Sequence, residues 1–348
     1  MPRHHQLRVL LLAPIAILAT VVLAWVIPPR PRTPWPAGTE AAAALAPAAP
    51  VTTSAANQGV GVVAPTTTAP PPPTVPPTTA AVPPPPPPPA PVLPTGKGMW
   101  LYLPDEVEGG DVNAIVARAQ ATGLTHLYVR TGSSVDGFYA APFLDALLPV
   151  AHAGGLKIIG WDFPYFTDIG ADISRAVAAI AYTTPTGDRL DGFSPDIETR
   201  YEGVWLSPEN ATLYGAGLRG AVGPSYPLIA TVPRPSPSRQ ADYPYTEVTA
   251  AFDAIAPMVY WIDTPPDEDA AQAIDFLSVF GKPVYPIGQA YDGGLEGGPP
   301  GTPTGNEIDA FINTSAAHGA KGVSFWSWQH ASPEMWNAIA NGLEVGAG

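Results

Sequence analysis

From Lys97 onward, eight short apolar, aromatic-rich runs alternate with eight segments of helical period. The runs are Gly98–Pro104, Thr125–Thr131, Lys157–Pro164, Leu190–Glu198, Pro227–Pro233, Ala254–Trp261, Pro283–Tyr291 and Lys321–Gln329. Runs this short and apolar read as buried strands, and their alternation with helices implies parallel strands joined by crossover helices. Eight such units in roughly 250 residues is the size of a (β/α)8 barrel. A doubly wound open sheet is the runner-up. It usually has fewer units, and the segment after the first strand (YLPDEVEGGD) is not a glycine-rich phosphate loop.

The helical segments carry their own punctuation. Asp111 caps the first, Val112, Ile115, Val116 and Ala119 form its apolar face, and Gly123 stops it. Asp172 reads as the cap of a later helix whose face is Ile173, Ala176, Val177, Ile180 and Ala181. Ser207-Pro208-Glu209 and Ser332-Pro333-Glu334 are cap-then-proline starts, and Thr304 to Glu307 fits a capping box.

In a barrel the C-terminal strand ends converge on one mouth. Here those ends supply Arg130, Trp161, Asp162, Asp196, Glu198, Arg234, Tyr260, Trp261, Asp263, Gln289, Trp326, Trp328 and Gln329. Sugars suit this mixture, because their C–H faces stack on flat rings and their hydroxyls pair with carboxylates and amides. Trp161, Asp162, Arg130, Arg234, Trp261, Asp263, Gln289, Trp326, Trp328 and Gln329 are therefore the candidate substrate-binding residues. For each Trp, a place in the core competes evenly with ligand contact.

The fourth run, LDGFSPDIET, is the most informative. Residues two apart on a strand share a face, so Asp196 and Glu198 lie side by side at its end. Two such carboxylates repel, and one should stay protonated near neutrality. That arrangement costs stability and so usually has a use. A salt bridge to Arg130, Arg200 or Arg234 is the structural alternative. A glycosidic oxygen is a poor leaving group and needs an acid to protonate it. Burial beside Asp196 would raise the pKa of Glu198 and suit it to that task.

Other chemistries fit less well. The six His are scattered without zinc-like spacing, and there is no GxSxG elbow. The segment Gly293 to Gly305 reads as a mobile rim loop rather than a phosphate cradle, since its prolines remove donors. Neither a metal nor a cofactor is expected. The absence of Cys excludes disulfides and thiolate chemistry, and a net charge of −14 argues against a nucleic-acid partner.

The first 96 residues are a different material. Val9 to Ile27 is an unbroken apolar run long enough to span a bilayer as a helix. Val22-Leu23-Ala24 has the look of a signal-peptidase site, but Trp25, Val26 and Ile27 continue the run and favour an uncleaved anchor. Pro28 to Pro94 is an Ala/Thr/Pro tract with too few apolar side chains to order. Proline-rich chain stays extended at about 3.1 Å per residue and suits a spacer through a cell wall. The expected organisation is a transmembrane helix over 1–27, a disordered proline-rich linker over 28–96 and the barrel over 97–348, placed outside the cytoplasm. The expected partners are a glycan and the membrane, and the pattern specifies no oligomeric state.

The barrel resembles glycoside hydrolase family 18, the chitinase-like TIM barrels. That family's strand-four signature is D-G-apolar-D/N-apolar-D/N-x-E, and Asp191, Gly192, Phe193, Asp196 and Glu198 match it in register. Pro257-Met258-Val259-Tyr260 is similar to the family's M-x-Y-D/N, and GVSFWSWQ to its Trp-bearing last strand. The resemblance implies a hydrolase of an N-acetylated or cell-envelope polysaccharide. By it Glu198 is the general acid, and Asp196 orients the substrate's N-acetyl group, whose oxygen attacks in place of a protein nucleophile. It also implies that Tyr260 hydrogen-bonds that acetamido group and that Trp326 or Trp328 floors the sugar site. Ser194 stands in place of the middle acid, Pro195 in place of an apolar residue and Trp261 in place of an Asp or Asn. The D-x-E pair and the closing W-x-Q also resemble the family 25 muramidases. A catalytically silent barrel that binds wall glycans is the alternative function.

Overall fold

The computed structural model describes residues 88–261, 264–296, 298 and 300–346. The predicted span Val9–Ile27, the linker up to residue 87 and Asp263 lie outside the described residues. Among the described residues no helix is long and apolar enough to cross a membrane.

The strands are β1 (Gly96–Leu101), β2 (Leu124–Ser133), β3 (Gly137–Phe138), β4 (Lys157–Phe163), β5 (Gly192–Phe193), β6 (Ile229–Pro233), β7 (Ala254–Val259), β8 (Ile287–Gln289) and β9 (Gly322–Trp326). Apart from β3, which folds back antiparallel on β2, they are parallel and run β5-β4-β2-β1-β9-β8-β7-β6. The two ends of that order meet through the parallel bridges Phe193–Leu228 and Asp196–Thr231. The sheet thus closes on itself, and each of the eight predicted runs supplies one parallel strand.

The helices are α1 (Val112–Ala121), α2 (Ala141–Ala153), α3 (Ile169–Ala181), α4 (Pro208–Val222), α5 (Pro237–Asp242), α6 (Tyr245–Thr249), α7 (Pro266–Ser278), α8 (Gly305–Ala317) and α9 (Pro333–Asn341). Asp111, Ser207, Thr304 and Ser332 cap α1, α4, α8 and α9 through side-chain oxygens that accept from backbone N–H groups, which satisfies donors a helix start leaves open. Asp172 is not a cap. Helix α3 starts one turn earlier with Asp168 as its cap, and Asp172 lies inside the helix, buried and paired with Arg175. Two short helices, α5 and α6, join β6 to β7.

Period-two alternation divides the core in two. Trp100, Tyr128, Ile159, Trp161, Ile229, Ala254, Ala256, Tyr285 and Ile287 fill the barrel interior. Their neighbours Met99, Leu101, Leu127, Val129, Ile158, Ala230, Ile255 and Val323 belong to the larger layer between strands and helices. At the N-terminal end of the interior His126 is fully buried under Gly98, and burial pushes its pKa down to about 4. A Cβ on Gly98 would lie 2.2 Å from the His126 Nε2, so only glycine fits.

The predicted strand Leu190–Glu198 pairs as a regular ladder only over Gly192–Phe193. The step from Asp191 to Ser194 matches the step from Ile158 to Gly160 on β4, so one residue bulges here. Pro195 has no N–H to offer, but the chain stays extended beyond it. The Asp196 N–H donates to Asp162 O at 2.9 Å and the Ile197 N–H to Thr231 O at 3.1 Å. These bonds keep Ser194, Asp196 and Glu198 in phase.

Candidate active site

The C-terminal strand ends surround a cavity of about 1230 Å³. Asp196 and Glu198 both line it, two residues apart on one face, while Phe193 and Ile197 turn into the outer core. The Tyr243 hydroxyl donates to Ile197 O at 2.7 Å and fixes the strand from behind. Glu198 is held well above the usual carboxylate range. Burial is the main cause, and the charges of Asp196 and Glu202 add to it; Arg239 and the Thr199 N–H oppose it. Glu202 sits on the turn just after Glu198, where its carboxylate accepts from the Thr199 N–H at 3.2 Å and from the Thr199 hydroxyl.

Aromatic rings form the floor. Trp100 stacks on Tyr128 at 4.2 Å, nearly parallel. Trp326 meets Trp100, Trp161 and Tyr102 at 5.9, 5.4 and 5.5 Å between centroids. The Trp100 Nε1–H donates to Ser324 Oγ at 2.9 Å and the Trp161 Nε1–H to Leu101 O at 3.3 Å, so both rings have a polar tether. Arg130 lies over Tyr102 and Trp161, 5.0 and 5.4 Å from their centroids. Tyr260 lines the cavity and meets Tyr291 edge-on at 5.3 Å. Arg234 also lines it, bound to Asp269 and, at 2.9 Å, to Thr264 Oγ1.

The structure thus brings Glu198, Asp196, Tyr260, Trp161, Arg130, Arg234 and Trp326 together around one space. It does not bring the other candidates there. Asp162 follows the inward Trp161 and so faces out, paired with Arg175 at 2.8 Å; burial pushes its pKa up to about 6 despite that partner. Trp261 follows Tyr260 and packs outward against Phe311 at 5.3 Å. Gln289 is buried and donates to Tyr291 O at 3.1 Å. Trp328 donates to Glu108 Oε1 at 3.1 Å and packs on Trp336. Gln329 accepts from the Tyr102 N–H at 3.3 Å. Asp263 lies outside the described residues.

Sequence reasoning missed Tyr102, Tyr165, Glu202 and Arg239, which also line the cavity. All but Tyr102 come from loops or the short helix α5, where no strand period marks an inward residue. Tyr102 was legible, since it follows the inward Trp100 by two. Among the described residues no group of three or more His, Asp or Glu has the arrangement of a metal site.

No family model matches the chain, and no curated protein matches it in sequence. Solved structures do match its fold. The Bacillus cereus spore cortex-lytic enzyme SleL has a TM-score of 0.52 at 12% identity, covering 72% of this chain and 74% of that one. A GH18 chitinase from Pseudoalteromonas aurantia has a TM-score of 0.51 at 13% identity, covering 72% and 100%. An endo-1,4-beta-mannanase from Rhizomucor miehei has a TM-score of 0.50 at 10% identity, covering 67% and 86%. At these identities the likeness is one of fold. The chain has a TIM-barrel fold, and a family 18 chitinase is among the structures that share it.

Proposed function

We propose that this chain is an extracytoplasmic glycoside hydrolase acting on a cell-envelope or N-acetylated polysaccharide, with Glu198 as its general acid. One observation carries the reading: a carboxyl with a raised pKa faces an aromatic-floored cavity beside a second carboxylate on the same strand face. A carboxyl whose pKa is raised keeps its proton to higher pH and can deliver it to a glycosidic oxygen. Asp196 then orients the acetamido group whose oxygen attacks the anomeric carbon, Tyr260 hydrogen-bonds that group, and Trp326 floors the sugar. The apolar run Val9–Ile27 anchors the chain, and the proline-rich segment after it spaces the barrel, 97–348, away from the membrane.

The test is reducing-end release by the full-length chain in detergent from peptidoglycan, chitin oligomers and arabinogalactan. Glu198→Gln should lower release by at least about 100-fold while leaving the unfolding transition in place. Unchanged release by Glu198→Gln refutes the assignment of the acid.

A second reading is a barrel that binds wall glycans without cleaving them. It is favoured by Ser194, whose hydroxyl is buried and paired with Thr231 Oγ1 at 2.7 Å where the family resemblance calls for an acid. Binding without release on every glycan offered would establish it.

A further inference from the structure

The cavity gathers cations that the rest of the chain is short of. Lys and Arg number 16 against 30 Asp and Glu, yet Arg130, Arg234 and Arg239 all line this one space. Two of them have work within the protein. Arg234 is bound to Asp269, and the charge of Arg239 acts on Glu198.

Arg130 differs. It ends the inward series His126, Tyr128, Arg130 on β2, and its guanidinium lies over the Tyr102 and Trp161 rings. Among the described residues it forms no ion pair, and its buried Nε has no hydrogen-bond partner. Asp162 on the next strand feels its charge, but that carboxylate is already taken by Arg175 on the outer side. A buried donor without an acceptor costs free energy until something supplies one. A guanidinium lying over aromatic rings still has a planar fork of N–H donors, which matches the two oxygens of a carboxylate.

Resting on the glycan reading above, we propose that one sugar bound beside the Tyr102–Trp161 wall carries a carboxylate, which the Arg130 fork takes up, so that the substrate is an acidic glycan. Two chemistries present such a group: a uronic acid, whose carboxylate is on the ring, and a lactyl ether, whose carboxylate stands off from it.

Binding to the full-length Glu198→Gln chain, measured by calorimetry, separates the possibilities because the ligand is not consumed. Three tetrasaccharides serve as probes: neutral chitotetraose, a hyaluronan tetramer bearing uronates, and alternating N-acetylglucosamine and N-acetylmuramic acid bearing lactyl ethers. One acidic probe should bind roughly ten- to a hundred-fold more tightly than chitotetraose, and which one it is names the source of the carboxylate. The preference should shrink as salt is raised and vanish when that probe's carboxylates are converted to methyl esters. Arg130→Gln should bring the affinity ratio of acidic to neutral probe close to one. The salt and ester arms keep Arg130 in place, so they decide the matter even if Arg130→Gln does not fold. Equal affinity for all three probes overturns the inference about Arg130 and leaves the glycan reading standing. Failure to bind any of them, together with no reducing-end release by the wild type, overturns both.

Discussion

Replacing Arg175 by Met should unfold this barrel more readily than any surface substitution, and the loss should depend on pH. Among the described residues, Arg175 is the one cation bonded to Asp162 and Asp172 in a buried network on the outer side of β4. Its Nε donates to Asp162 at 2.8 Å and its Nη1 to Asp172 at 2.5 Å. Asp162 and Asp172 are each 1% exposed and Arg175 8%. Met has a similar reach but no charge, so two buried carboxylates would be left uncompensated. Breaking a buried pair in this way costs roughly 3–5 kcal/mol. For a domain of this size that is a fall in Tm of roughly 6–20 °C.

The pH dependence follows from Asp162, whose pKa already stands at about 6 with Arg175 in place. Burial raises it, and Arg175 is the main influence holding it down. Without Arg175 the folded-state pKa rises further above its unfolded value. A raised carboxyl favours the folded state least where it must ionise, so the penalty is greatest above the folded pKa and fades as pH falls toward the unfolded one. Urea unfolding followed by tryptophan fluorescence, for wild type and Arg175→Met, should therefore show a gap in stability at about pH 7.5 that narrows by about pH 5. A gap below about 1 kcal/mol at the higher pH, or one that does not narrow, refutes the reasoning. The same network reaches the cavity wall: Asp172 accepts from the Phe166 N–H at 3.0 Å, and Ser134 bonds both Asp172 and the Tyr165 N–H.

Two further predictions concern the site and the base of the barrel. If Glu198 must be protonated to act, turnover falls as pH rises through its raised pKa; Glu202→Gln removes a charge that raises this pKa and should move the alkaline limb to lower pH, whereas Arg239→Gln should move it to higher pH. Shifts of the same sign in a pH–rate profile would refute this account. Gly98→Ala drives a methyl into the fully buried His126 ring and should cost about 1–3 kcal/mol in urea unfolding; an unchanged midpoint would show that the ring can move.

The barrel was legible because short apolar strands alternate eight times with helical segments, and α1, α3, α4, α8 and α9 carry side-chain caps that mark where they start. The phase of the strands separates inward from outward residues. Trp161 and Asp162 are adjacent, as are Tyr260 and Trp261, and neighbours on a strand cannot both face the cavity. Once Trp161 is placed inside, Asp162 must point outward, where it meets Arg175. Tyr165 and Glu202 on loops and Arg239 on the short helix α5 were not legible at all, because their approach to the cavity depends on the path of connections that carry no strand period. Asp172 was misplaced for a related reason: a helix start and a buried ion pair both call for an acid, and only the partner Arg175, three residues on, distinguishes them.

Strand four shows how a departure from a family pattern changes the electrostatics around it. Ser194, Asp196 and Glu198 share the inner face, so an acid at 194 would put a third carboxylate in line with the other two. The serine instead satisfies its hydroxyl on Thr231 and brings no charge. The field that raises Glu198 then comes from Asp196 on the strand and from Glu202 on the turn beyond it. Glu202 is tied to Thr199 by a capping box, so its charge is held in place by local backbone geometry rather than by the barrel interior. The two sources differ in what controls them. The charge of Asp196 is fixed by a buried strand, whereas that of Glu202 depends on a turn at the rim, within reach of solvent and of whatever occupies the cavity.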